Sequence, residues 1–291
     1  MKLAKIKYLS AMTLFGTIGI FVRYIPLSST AIAFFRGVLG CLYLVGVMLI
    51  GRKKPDLAAI RRNFILLLLS GTAIGFNWIL LFESYKYTTV AAATVCYYLA
   101  PLLLLLASPL LGERITLKKL LCVGAAVVGI ALVSNVFSQG VQGSEYRGIV
   151  LGLCAAGLYA GAILMNKRIQ GIASMDRTII QLGTAALVLI PYNLLSSGFT
   201  YVPLTPTQIL LLVTVGIVHT GLAYYLYFSS MRHLSGQTVA IVSYLDPVVA
   251  VLVSACFLKE PFSWREALGA LLIIGAALLS ELSFPRKEGA K

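Results

Sequence analysis

An aspartate followed by a proline inside an apolar run is where chemistry concentrates in this 291-residue chain. Asp246 and Pro247 stand in Tyr244-Leu245-Asp246-Pro247, and Tyr98-Leu99-Ala100-Pro101 repeats the pattern with Ala100 in place of the acid. Burying an Asp mid-membrane costs about 2.5–3.5 kcal/mol, so such a residue faces a cavity or a partner. Pro247 cannot donate to the preceding turn, and a local break there exposes backbone carbonyls beside the carboxyl. Asp246 is therefore expected to bind solute or exchange a proton. The competing reading is a structural acid hydrogen-bonded to a neighbouring helix.

Other polar groups are thinly spread. Glu83 closes an apolar run two residues before Tyr85 and three before Lys86. It is either a proton-coupling or gating group, or an interfacial carboxylate paired with Lys86. His219 is near the centre of another run, and imidazole titrates near neutrality, so a proton relay and a hydrogen-bonded packing role stand side by side. Asn77, Trp78, Tyr97, Tyr98, Tyr159, Tyr224 and Tyr244 are expected to line a central substrate site. Aromatic faces beside one acid suit an organic cation or the ammonium of a zwitterion. Tyrosines also populate interfacial belts. Arg36 could pair with a substrate carboxylate, but snorkelling to the external interface is the simpler account. Glu113 and Glu260 are read as electrostatic caps of helix starts.

No metal-ligand spacing, catalytic triad, paired aspartates or nucleotide-binding Gly-rich loop with Lys is present. This argues against an enzyme or an ATP-driven pump and implies no catalytic residues, metal or cofactor. The five cysteines (Cys41, Cys96, Cys122, Cys154, Cys256) all fall in apolar runs and read as small core residues.

The elements that must position these groups are long apolar helices. The chain is 59% hydrophobic and 12% charged, and its mean hydropathy is +0.92. A span takes about 20 residues, and ten are read at roughly 7–25, 29–51, 63–83, 88–111, 117–136, 147–167, 177–198, 207–229, 236–258 and 265–284. The runs lack the alternation of a membrane barrel. The first carries Arg23 and no small-residue cleavage site, so it reads as a retained span. The net charge of +14 suggests nucleic acid, but its distribution argues otherwise. With a cytoplasmic N-terminus, 18 of the 24 Lys and Arg fall on cytoplasmic segments. That bias places both termini in the cytoplasm.

The pattern is also written twice. Pro247 follows Pro101 by 146 residues, and Glu260 follows Glu113 by 147. The halves, 1–138 and 145–285, are joined by a polar, Gly-rich linker and followed by a basic cytoplasmic tail, 286–291. Five spans per half is odd, so the copies enter the membrane in opposite directions, as in many secondary transporters. The expected fold is an all-α integral membrane protein of ten transmembrane helices in two inverted five-helix repeats. Small residues four apart (Gly71 with Gly75, Ala125 with Gly129, Gly148 with Gly152), together with Gly269 and Gly275, mark expected close approaches.

Three segments carry a family resemblance: Ser84-Tyr85-Lys86-Tyr87-Thr88 at a span end, Pro101 within the fourth span, and Gly112-Glu113-Arg114-Ile115-Thr116 before a Gly-containing fifth span. Together, and repeated once, they resemble the EamA family of the drug/metabolite transporter superfamily over essentially the whole chain. Lys259-Glu260-Pro261 departs from the Gly-Glu-Arg pattern, and Asp176-Arg177 offers no match to Arg36. The resemblance implies a bundle that moves small metabolites, often outward. The expectation is a plasma-membrane secondary transporter, an exporter of an amino acid or related amine-bearing solute, working by alternating access with protons as a coupling partner. Its other partners are the lipid bilayer and no nucleic acid, and it is a monomer or homodimer. A membrane-embedded enzyme and a channel- or receptor-like binding protein are the alternatives.

Overall fold

The structure is a computed structural model describing residues 2–52, 54–100, 102–103, 117–133, 143–196, 199–231, 233–234, 242, 245–260 and 263–281. All of its regular elements are helical. In the first half they are α1 (Lys2–Arg23), α2 (Ser29–Ile50), α3 (Leu57–Arg62), α4 (Phe64–Ser84), α5 (Val90–Tyr97) and α6 (Leu117–Val133). In the second half they are α7 (Gly143–Arg168), α8 (Ser174–Leu195), α9 (Pro206–Gly216), a π-helical turn (Ile217–Leu222), α10 (Ala223–Met231), α11 (Leu245–Phe257) and α12 (Trp264–Glu281). Pro101, the Gly112–Thr116 motif with Glu113, Tyr244, most of the linker and the basic tail lie outside the described residues.

Among the described residues, six stretches are long and apolar enough to cross a membrane: Lys2–Arg23, Ser29–Ile50, Phe64–Ser84, Glu145–Asn166, Ser174–Leu195 and Pro206–Tyr227. The shorter described helices α5, α6, α11 and α12 fall within the residues of the other four expected spans. The short α3 was not anticipated. Asp56 caps it by accepting from Ala59 N at 2.9 Å, which lets a helix start in a polar connection. Elsewhere hydroxyls do the same work: Ser28 accepts from Ala31 N, Thr89 from Ala92 N, and Thr205 forms a capping box with Gln208.

The two halves interlock. α1 packs on α10 and α11, α2 on α8 and the π turn, α4 on α7 and α8, α5 on α7 and α11, and α6 on α12. The pattern repeats when the halves are exchanged: α4 on α7 mirrors α10 on α1, and α5 on α7 mirrors α11 on α1.

Small residues make these approaches. A Cβ at Gly16 would lie 2.5 Å from the Asp246 carbonyl oxygen and 2.7 Å from Val249 Cβ, so α1 lies directly on the backbone of α11. Gly71 and Gly75 meet Gln181, Thr184 and Ala185 of α8, and Gly148 and Gly152 seat α7 against Thr88 and α5. Gly129 meets Gly269 and Ile273 across the α6–α12 contact. Gly275 differs from the expectation, because nothing lies within 4 Å of its Cβ position. The cysteines also divide. Cys96 and Cys122 are buried, but Cys154 and Cys256 face outward, since in a membrane helix an apolar thiol is equally stable against lipid.

Gly16→Val is expected to destabilise the protein by about 1–3 kcal/mol, because a side chain there meets backbone that cannot swing away. Gly46→Ala, at an open position, should leave stability unchanged or slightly raised. Thermal unfolding of the two variants in detergent checks the contrast.

Candidate functional site

The end of α5 and the facing residues of α11 bring the site together. α5 ends at Tyr97, and Tyr98 is its C-cap residue, just ahead of Pro101. The described part of α11 runs from Leu245, and Asp246 and Pro247 lie in it directly opposite the end of α5.

The Tyr98 hydroxyl donates to Asp246 Oδ2 across the 148 residues that separate them. Asp246 is half-buried, and no described side chain holds its other oxygen. Tyr98 packs edge-on against Tyr97 with ring centroids 5.9 Å apart, and Tyr97 packs on Tyr159 at 5.3 Å. Tyr97 and Tyr224 pack in the same apolar cluster as Trp78, on which Arg36 stacks. Tyr224 also packs against Phe15 at 5.3 Å. Asp246, Tyr98, Tyr97, Tyr159 and Tyr224, drawn from both halves, therefore form one connected group.

Trp78 is 4% exposed and belongs to this group through Arg36, whose guanidinium carbon is 4.1 Å from the indole centroid. Asn77 is committed differently: its side chain donates to Ala155 O at 2.6 Å, tying α4 to α7. Glu83 accepts from Ser29 Oγ at 2.7 Å and pairs with Lys86 at 2.8 Å at the helix end. Glu260 does not cap the helix that follows it. It accepts from Val90 N at 3.0 Å, at the start of α5, and from Ser254 Oγ, while Arg23 approaches its second oxygen at 3.4 Å. Arg23 also donates to Tyr85 O, so this end of the molecule is clasped between halves.

His219 is 2% exposed and lies on the π turn. Its Nδ1 is 3.3 Å from Thr214 O, so that nitrogen carries the proton, since a carbonyl can only accept. Nε2 is 3.1 Å from Thr17 Oγ1, and that hydroxyl also lies 2.9 Å from Leu14 O. A neutral ring takes the Thr17 proton, whereas an imidazolium donates to Thr17 and returns that proton to Leu14. Phe21 covers the ring at 4.4 Å. Among the described residues no hydrogen bond joins His219 to Asp246.

Arg36 does not snorkel. It is 4% exposed, its Nε donates to Thr220 Oγ1 at 3.0 Å, and Trp78 and Phe82 flank the guanidinium at 4.1 and 5.3 Å. The π turn makes this contact. Thr220 Oγ1 donates to Val215 O, five residues back, at 2.9 Å, leaving its lone pairs for Arg36. Gly40, one turn beyond Arg36, leaves room for the Thr220 methyl, which a Cβ there would meet at 2.6 Å. The sequence signals were Arg36 and Gly40 on one helix face and a polar His219-Thr220 pair in an apolar run. Their contact across 184 residues could not be read from either segment alone.

Thr220→Val is expected to cost about 1–2 kcal/mol in thermal unfolding, by leaving the buried Arg36 Nε without an acceptor, whereas Thr220→Ser should restore most of it.

Comparison with known proteins agrees with this architecture. The EamA-like transporter family model matches twice, over residues 3–135 and 146–282. An uncharacterized transporter of Bacillus subtilis, YxxF, is 29% identical over 95% of this chain and 89% of its own length. A protein of Salmonella typhimurium described as a probable amino-acid metabolite efflux pump is 26% identical over 62% of this chain and 63% of its own. A crystal structure of a protein 19% identical superposes with a TM-score of 0.65 over 95% of both chains, a likeness of fold alone. These relatives are transporters and not enzymes, the apolar helices are those of an integral membrane protein, and the chain belongs to the EamA-like transporter family.

Proposed function

We propose that this transporter has ten spans in two inverted five-helix repeats and exports an amino acid or related amine-bearing solute by alternating access, in exchange for protons. The observation that carries the reading is the Tyr98–Asp246 contact. It joins the end of α5 in one half to α11 of the other, and interrupted helices are where transporters expose binding groups. Tyr98 occupies one carboxyl oxygen, which leaves the other for a cation. A proton and a solute's ammonium then compete for the same group, and binding of one expels the other. That competition is what couples exchange. The tyrosine faces around it supply a surface on which an organic cation is held without a second formal charge. The Salmonella relative described as an amino-acid metabolite efflux pump supports both the solute class and the direction.

Rocking of the halves would open the clasp made by Arg23, Tyr85, Val90, Ser254 and Glu260. At the opposite end, Asn63 and Arg62 reach Gln170 O, and Asp56 N donates to Asp176. This second end carries the clustered basic residues and faces the cytoplasm of a plasma-membrane protein in this reading, with both termini on the same side. Cysteines introduced at Arg52 and at Tyr201 test the orientation: an impermeant thiol reagent applied to intact cells should label position 201 and spare position 52.

In proteoliposomes with a trapped pH dye, pooled amino acids and amines should move protons through the wild type. Asp246→Asn, which retains the shape but cannot ionise, should abolish that signal while thermal unfolding stays within about 1 kcal/mol of the wild type. Unchanged proton movement in the variant removes Asp246 from the mechanism. Solute counterflow in the same vesicles separates a carrier from a channel, which shows none.

A further inference from the structure

Among the described residues, the ion pairs are Arg23 with Glu260 and Lys86 with Glu83, and neither involves Arg36. Its Nε is bonded to Thr220, and among the described residues no hydrogen bond or ion pair engages its two terminal nitrogens. A guanidinium 96% removed from solvent is costly to leave uncompensated, because desolvation of the charge is repaid only by an opposite charge or by full hydrogen bonding. Trp78 and Phe82 cover its faces but cannot accept from its edge. The Thr220 bond and the indole stack also hold the plane still, leaving one edge with two parallel N–H donors. That fork matches a carboxylate bidentately.

We propose that Arg36 is the anion-binding residue of the translocation site, its free edge receiving the carboxylate of a solute whose ammonium group is taken by Asp246. The proposal rests on the transport reading above and narrows its solute from any amine to a zwitterion carrying both charges. Tyr85, Tyr97 and Tyr224 pack in one cluster with Trp78, and Tyr97 packs on Tyr98, the partner of Asp246, so aromatic surface links the two charged groups. The cation comes from the first half of the chain and the acid from the second. A bound zwitterion therefore bridges the halves, whereas a plain amine touches the Asp246 side alone.

The test uses the purified full chain in detergent. The twenty L-amino acids, the carboxamide of each, and sodium phosphate and sulfate are titrated singly while thermal unfolding is followed. At least one amino acid should stabilise the wild type, with its carboxamide weaker by roughly tenfold or more. Arg36→Gln should abolish the acid-over-amide preference and Arg36→Lys should retain part of it. Unliganded Arg36→Gln should unfold close to the wild-type temperature, because relief from burying the charge offsets loss of the Thr220 hydrogen bond and the Trp78 stack.

The proposal is overturned if no amino acid stabilises the wild type, if acid and amide act equally, or if phosphate or sulfate reproduces the full effect. It is also overturned if the preference survives Arg36→Gln, or if that variant is merely destabilised with the acid-to-amide ratio unchanged. Failure of the transport reading is separable. Proton movement that persists in Asp246→Asn defeats proton coupling through that acid and leaves the Arg36 preference standing. Loss of proton movement in Asp246→Asn, with a preference indifferent to Arg36, does the reverse.

Discussion

Gly16 lets α1 lie on the backbone of α11, and the position of Asp246 depends on that approach. A Cβ at residue 16 would meet the Asp246 carbonyl oxygen itself, so this part of α11 is located by an absent side chain. The same device recurs at other contacts between the halves: Gly71 and Gly75 on α8, Gly148 on Thr88, Gly129 on Gly269. In lipid the hydrophobic effect does not drive helices together, and close backbone packing takes its place. The polar contacts between the halves follow from that spacing, because Tyr98 and Arg36 reach their partners only when the helices are this near.

Two different local breaks serve the site. One is the end of α5, where Tyr98 reaches Asp246 on α11. The other is the π turn between α9 and α10, which turns the Thr220 hydroxyl toward Arg36 and the His219 ring toward Thr17. Each break frees backbone groups that a continuous helix would satisfy. Side chains compensate: Thr220 bonds Val215 O and His219 bonds Thr214 O, both five residues back. Irregular backbone at membrane depth is tolerable only where it is buried in protein or lines a polar space, which is where charged groups of opposite sign are also tolerable.

The ends of the molecule are built otherwise. Arg23, Glu260, Ser254 and the start of α5 form a clasp whose members come from both halves, and Glu83 with Lys86 and Ser29 sits nearby in sequence and ties α4 to the start of α2. These contacts are hydrogen bonds and partly exposed ion pairs, each individually modest in water. α4 packs closely on α7, and α6 on α12.

Much of this was legible in one dimension. Period, length and charge of the apolar runs mark the helices, since a bilayer imposes length and backbone satisfaction on any chain that crosses it. Asp246 with Pro247, and its unacidic counterpart at Ala100, mark where an acid must be accommodated. Partnership is not legible, because side chains 148 and 184 residues apart meet only through the tertiary packing. Arg36 shows the difference most plainly. Beside a predicted interface, a long cationic side chain has water within reach and snorkelling is the economical expectation. Gly40, the π turn and Trp78 instead draw it inward, and no periodicity announces a π turn. The residue types and the membrane were determined by the sequence alone; which buried charge faces which neighbour was decided by the packing of one half against the other, because electrostatic energy depends on distances that the linear order does not contain.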